Sequence, residues 1–232
     1  EIPLRLVGSE MCIRDSPNAV ELLKDYLDVY PASRHADEVN FLIGSAHFGQ
    51  GEYQKAIFWF NESNIDMLSP EQQEVYCFRL AYSLLQIGDM EKARGYFARI
   101  EQIGTKYREA STYYVAYIDY ATGKYNNALV EFTRLKDLPD YKERSLYYIT
   151  QIYFIQNKYE KVISEGKELL ASYPDSENNS EVYRIMGNAY YHLGNEDQAI
   201  NMLSKYVSST DSPLRGDLYL SLIHISEPTR RR

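Results

Sequence analysis

Cysteine is scarce in this chain, with two in 232 residues, so no disulfide framework can hold the fold. Tryptophan occurs once. No uninterrupted apolar stretch reaches the roughly 18 residues a membrane-spanning helix needs. Positive charge is in deficit: 25 Lys+Arg stand against 33 Asp+Glu, a net charge of -8. That balance opposes the phosphate backbone of nucleic acids and the anionic surface of a membrane, and nucleic acid is not an expected partner. Phosphate-cradling, dinucleotide, zinc-protease and nucleophile-elbow motifs are all missing, so no catalysis, metal or cofactor is expected. Against these absences stand a hydrophobic share of 44%, enough to build a core, and 23 tyrosines.

The two ends carry matched strings. Leu6–Ser16 (LVGSEMCIRDS) and Leu220–Arg230 (LSLIHISEPTR) can be written as the two strands of one DNA segment, the second being the reverse complement of the first in another frame. Both resemble translated sequencing-adapter DNA, so residues 1–16 and 220–232 are expected to be non-native and are set aside from fold reasoning. That leaves Cys77 as the credible cysteine, His35, His47 and His192 as the credible histidines, and an interior more acidic than the whole chain.

The interior repeats. A small residue followed four positions later by a large one recurs at Ala56/Phe60, Ala93/Phe97 and Ala128/Phe132, with Val162/Gly166 and Ala199/Leu203 as weaker members. Successive anchors lie 37, 35, 34 and 37 residues apart, each five residues after Gly51, Gly88, Gly123, Asn157 or Gly194. Between these breaks, apolar residues return at three and four positions, as in Val39, Leu42, Ile43 and Ala46. A period in the thirties with a Gly-containing break in mid-unit predicts stacked helix–turn–helix units. Small residues at Gly44, Ala81, Ala116 and Gly187 allow each first helix to approach its second closely. About ten helices are expected between Arg34 and Ser209, preceded by one over Ala19–Val29 and followed by the start of another near Leu214.

These residues resemble the tetratricopeptide repeat family. Ile43-Gly44-His47-Gly51-Ala56-Phe60 fits its pattern, as do Leu80-Ala81-Leu84-Gly88-Ala93-Phe97 and the corresponding sets in the next three units. The resemblance covers roughly Pro17 to Tyr219 and implies an all-α, right-handed superhelical solenoid of antiparallel helix pairs. Residues 17–32 would be the second helix of a truncated repeat, and 33–219 five complete repeats plus the start of a sixth. The stretch Tyr113 to Phe132 and the many tyrosines resemble multi-repeat proteins of Bacteroidota. That implies a periplasmic or envelope setting, with the cytoplasm left open.

The resemblance also implies where a partner would sit. Carried over by register, the family's concave first-helix face gives Phe78, Tyr82, Tyr113, Tyr117, Tyr120, Tyr147, Gln151, Phe154, Arg184, Asn188 and Tyr191 as protein-binding residues. Phe41 and Phe48 fall on the same face. Tyr113, Tyr117, Tyr120, Tyr147 and Phe154 form the expected centre, since amphipathic aromatics offer large contact area at low entropy cost. The family's full carboxylate clamp lacks its Lys and Asn partners here, although Arg144 and Arg184 could steer an acidic group. The expected function is a scaffold for a protein or peptide partner. The alternatives are a spacer within a much longer repeat protein, or a regulatory array attached to an effector outside the fragment. His47 and Cys77 read as core residues. The fourth unit departs most, with Thr150, Val162 and Gly166 at its anchor positions, and is expected to be the softest seam.

Overall fold

A computed structural model describes residues 17–103 and 105–209. The matched terminal strings and the helix start expected near Leu214 lie outside the described residues. Among those residues the chain is all α, with no strand. Helix α1 spans Pro17–Val29; then come α2 (Ala36–Gly49), α3 (Tyr53–Asn61), α4 (Pro70–Gln86), α5 (Met90–Ile103) and α6 (Arg108–Ala121). They are followed by α7 (Tyr125–Leu135), α8 (Pro139–Ile155), α9 (Tyr159–Ser172), α10 (Asn179–His192) and α11 (Glu196–Ser209). Ten α-helices thus lie between Arg34 and Ser209, and short turns make consecutive partners antiparallel.

The turns follow from one backbone device. Gly51, Gly88, Gly123 and Gly194 take positive φ, and Asn157 does the same at φ 56°. Each ends a first helix and lets the next amide reach back five residues. Glu52 N–H donates to the His47 carbonyl at 2.9 Å, Asp89 to Leu84 at 2.9 Å and Lys124 to Asp119 at 2.7 Å. Lys158 to Tyr153 and Asn195 to Tyr190 repeat it at 2.9 Å. This is the Schellman closure, which satisfies carbonyls that a helix end otherwise leaves open. Helix starts are set as locally: Ser69 and Gln72 form a capping box with Pro70 in the first turn of α4, and Pro139 opens α8.

The chain divides into two compact units, Glu1–Ile118 and Asp119–Arg232, with the division falling inside α6. In the first, Ala56, Phe60, Ala93 and Phe97 are fully buried. A methyl group placed on Gly44 would come within 2.8 Å of the Phe60 ring, so α2 and α3 touch where the sequence has its smallest residue. Tyr76 lies edge-on to Phe60 and donates its hydroxyl to the Phe60 carbonyl at 2.9 Å. Phe97 stacks on Tyr114 with ring centroids 4.8 Å apart. His47 is buried and its Nδ1 lies 2.6 Å from the Glu52 carboxylate, a packed and hydrogen-bonded core histidine. Cys77 is fully buried, and burial pushes its thiol up to about 11.

In the second unit Phe132 stacks on Tyr148 at 4.9 Å. The α8–α9 pair has no such wedge. Gly166 is buried there, and the place a side chain would take is filled by Met186 of α10, whose Sδ stands 2.6 Å from where a Cβ would be. Met186 itself is fully buried among Leu146, Val162, Leu169 and Val182. Thr150 returns its hydroxyl to the Leu146 carbonyl at 2.8 Å, so its polar group carries no penalty. The seam that the sequence predicts to be underfilled is therefore filled from the following helix.

Candidate functional site

The residues that register places on one face divide between the two units. In the first, aromatic side chains pack mainly on one another. Phe41 and Phe48 are buried, at 2% and 8% exposure, rather than presented: Phe41 lies against Phe60, and Phe48 is edge-on to Tyr53 and Tyr82 beneath the Arg79 guanidinium. Phe78 is half-buried and stacked on Tyr107 at 4.5 Å, and Tyr82 contacts Phe48 and Tyr114 edge-on and Tyr53 at a tilt. Tyr113 is buried against Tyr114, while Tyr117 is half-buried. The cause is crowding: with a large ring every three or four positions on α4 and α6, the flanks of each ring row close over its centre.

The second unit holds a different arrangement. Tyr120 donates its hydroxyl to Gln151 Oε1 at 3.2 Å, so an amide on α8 holds a tyrosine of α6. Beside Tyr147 lies the Glu181–Arg184 pair of α10. Arg184 Nε donates to one carboxylate oxygen at 2.8 Å and Nη2 to the other, a two-pronged contact across one helical turn. Burial first, then the Glu181 charge, raise the Tyr147 pKa, while the Gln151 hydrogen bond and the Arg184 charge pull it back. Glu181 in turn raises that of Arg184. Asn188, one turn on, donates to the Arg184 carbonyl at 3.0 Å.

Toward the C-terminal ends of α8 and α10 the face becomes apolar and open. Phe154 meets Tyr159 edge-on, Tyr159 stacks on His192 at 4.6 Å, and Tyr191 leans on His192 while remaining 51% exposed. Ile155 and Leu193 are exposed beside these rings in sequence. This arrangement offers ring faces held by hydrogen bonds already made, and no poised nucleophile, acid or base. Among the described residues no group of three His, Cys, Asp or Glu side chains could hold a metal ion. No helix there is long and apolar enough to cross a membrane.

Of the expected contact residues, Tyr120, Tyr147, Gln151, Phe154, Arg184, Asn188 and Tyr191 belong to the second unit, and Phe78, Tyr82, Tyr113 and Tyr117 to the first. Glu181 falls on the same face by register and is not among those contact residues. Its spacing from Arg184, three positions on one helix, was the available signal. Arg184 is therefore engaged by its own helix through Nε and Nη2.

Tetratricopeptide-repeat models match residues 37–63, 76–102 and 181–209. No curated protein matches the chain. Among solved structures, the chain is similar to YrrB, a TPR protein with an unusual peptide-binding site, at 12% identity and a TM-score of 0.67, covering 89% of this chain and all of that one. A tetratricopeptide repeat protein from Parabacteroides merdae aligns at 16% identity and a TM-score of 0.61, covering 88% of this chain and 79% of the other. MamA aligns at 16% identity and a TM-score of 0.61, over 72% and 94%. Three of the five helix pairs between Ala36 and Ser209 thus match tetratricopeptide-repeat models, and all five have the helix-pair repeat fold.

Proposed function

We propose that the chain is a protein-interaction scaffold that binds a peptide or protein segment on the face of its first helices. In the second unit Tyr147, Gln151, Phe154, Arg184, Asn188 and Tyr191 line the contact. The observation that carries this reading is the run of rings Phe154, Tyr159 and His192 with the half-exposed Tyr191 beside it, next to a Tyr120 hydroxyl held by Gln151. Rings whose orientation is fixed before binding lose little entropy on contact, which concentrates binding energy in few residues. The peptide-binding site of the similarly folded YrrB supports the same use of this fold.

An array of blocked octapeptides probed with the full chain tests the reading. Tyr147→Ala and Tyr191→Ala are each expected to weaken captured peptides by about 1–3 kcal/mol. Val130→Ser, at an exposed position on α7, should change nothing. Melting curves accompany every variant, because Tyr→Ala also removes packing. Equal capture by folded wild type and folded Tyr147→Ala/Tyr191→Ala protein would overturn the assignment.

A further inference from the structure

The Glu181–Arg184 pair bears on which ligands the second unit's face accepts, a question that rests on the binding reading above. A guanidinium recognises a carboxylate by presenting two parallel N–H groups to its two oxygens. In this chain one edge of the guanidinium is already taken, with Nε and Nη2 each donating to one oxygen of Glu181. Both side chains are about a third exposed, at 31% and 32%, so the pair lies at the surface rather than sealed in the core. A ligand carboxylate arriving there would have to compete for the Nε–Nη2 edge or take the Nη1 side of a charge already neutralised, and in either case would meet the charge of Glu181.

Neighbouring polar groups are engaged in part: Gln151 Oε1 accepts from the Tyr120 hydroxyl, and the Asn188 amide donates to the Arg184 carbonyl. What remains open toward the helix ends is mainly ring and aliphatic surface, the Tyr191 ring and Ile155 with 51% and 43% exposure, beside the exposed His192 imidazole. The chain is acidic overall, with a net charge of -8, so long-range steering also disfavours an acidic partner.

We propose that Glu181 determines the ligand selectivity of this face: by holding Arg184 it makes the face accept uncharged, apolar or aromatic segments and refuse carboxylate-bearing ones. The residue acts through Arg184 and positions it. Removing the Glu181 charge releases the guanidinium and turns the face toward acidic segments.

The test uses the full chain and matched pairs of blocked octapeptides, one member built from Pro, Leu, Phe and Gly and the other carrying two Glu at otherwise identical positions. Wild type is expected to bind the uncharged member at least about tenfold more tightly, the difference a charge-assisted hydrogen bond makes. Glu181→Gln should raise affinity for the acidic member about tenfold. That gain should fade between about 50 and 500 mM salt as screening sets in. Glu181→Gln/Arg184→Gln should lose the gain while keeping the uncharged peptides, which separates selectivity from folding. Equal wild-type affinity for both members, or no gain in Glu181→Gln protein, overturns the selectivity assignment and leaves the binding face standing. Capture of neither class by any protein overturns the face and the assignment together.

Discussion

The α2–α5 region of the first unit and the α8–α11 region of the second solve the same packing problem with different residues. In the first, each second helix supplies its own wedge, Phe60 or Phe97, against a small residue on the first helix. In the second, α9 brings glycine to that position, and the missing volume comes from Met186 on the next helix. Lysines tie the same helix from outside: Lys136 lies 3.0 Å from Glu165, and Lys142 lies 2.9 Å from Glu168. A repeat therefore conserves filled volume at the interface rather than the position that supplies it. An unbranched thioether suits the role, because it adapts to an irregular gap where a rigid ring needs one shape.

The largest effect should come from removing a ring wedge. Phe97 is fully buried, stacked on Tyr114 and edge-on to Phe78, so Phe97→Ala leaves a cavity among rigid neighbours. A loss of about 3–5 kcal/mol is expected. Denaturant unfolding followed by Trp59 fluorescence measures it, since the chain's one tryptophan lies in the first unit. A loss under about 1 kcal/mol would mean that the neighbouring rings collapse into the gap and that the wedge is not what holds the pair.

The second unit should respond at two sites at once. Met186→Ala is expected to cost about 2–5 kcal/mol and to make amides of α9 exchange before those of α7, whereas wild type is expected to protect both helices alike. The glycines sharpen the contrast. Gly44→Ala drives a methyl into the Phe60 ring and should cost about 1–3 kcal/mol. Gly166→Ala meets a flexible Met side chain and gains helix propensity, so its net change should stay within about 1 kcal/mol. Equal costs at the two glycines would show that Met186 is as rigid as the ring it replaces.

How much of this was legible in the sequence depends on the range of the interaction. Gly51, Gly88, Gly123, Asn157 and Gly194 were readable because a positive-φ turn is decided by one residue. The anchors at Ala56/Phe60 and Ala93/Phe97 were readable because four positions on one helix fix a common side. Met186 was not: its role depends on a gap twenty residues earlier, and as a large residue in its own register slot it gave no sign of filling another. The candidate site was legible as a set of positions but not in its state. Register put Phe48 and Tyr113 on the face with Tyr191, yet two are buried and one is half-exposed, because ring crowding depends on neighbouring helices. Arg184 reads as an available cation in the sequence, whereas in the fold the carboxylate one turn before it takes the Nε–Nη2 edge of its guanidinium.

A smaller effect follows from what the two cores hold at one equivalent position, Cys77 in the first unit and Leu146 in the second, both fully buried. The leucine cannot titrate. The thiol can, and burial moves it from an ordinary value near 9 to about 11 in the folded chain. Between those values the unfolded chain gives up the thiol proton while the folded chain retains it. Stability contributed here is thus fully present below pH 9 and is lost as pH rises toward 11, by roughly 2–3 kcal/mol. Tyr76, also raised by burial, adds to the fall in the same direction above its ordinary value of 10. Unfolding of the first unit, followed through Trp59 at pH 7, 9 and about 10.5, should show a decline that Cys77→Ala reduces and that Cys77→Ala/Tyr76→Phe reduces further. Leu146→Ala should lower stability by a similar amount at every pH, because a cavity has no proton to lose. If Cys77→Ala protein keeps the full wild-type decline, the alkaline loss belongs to the surface tyrosines and the buried thiol plays no part in it.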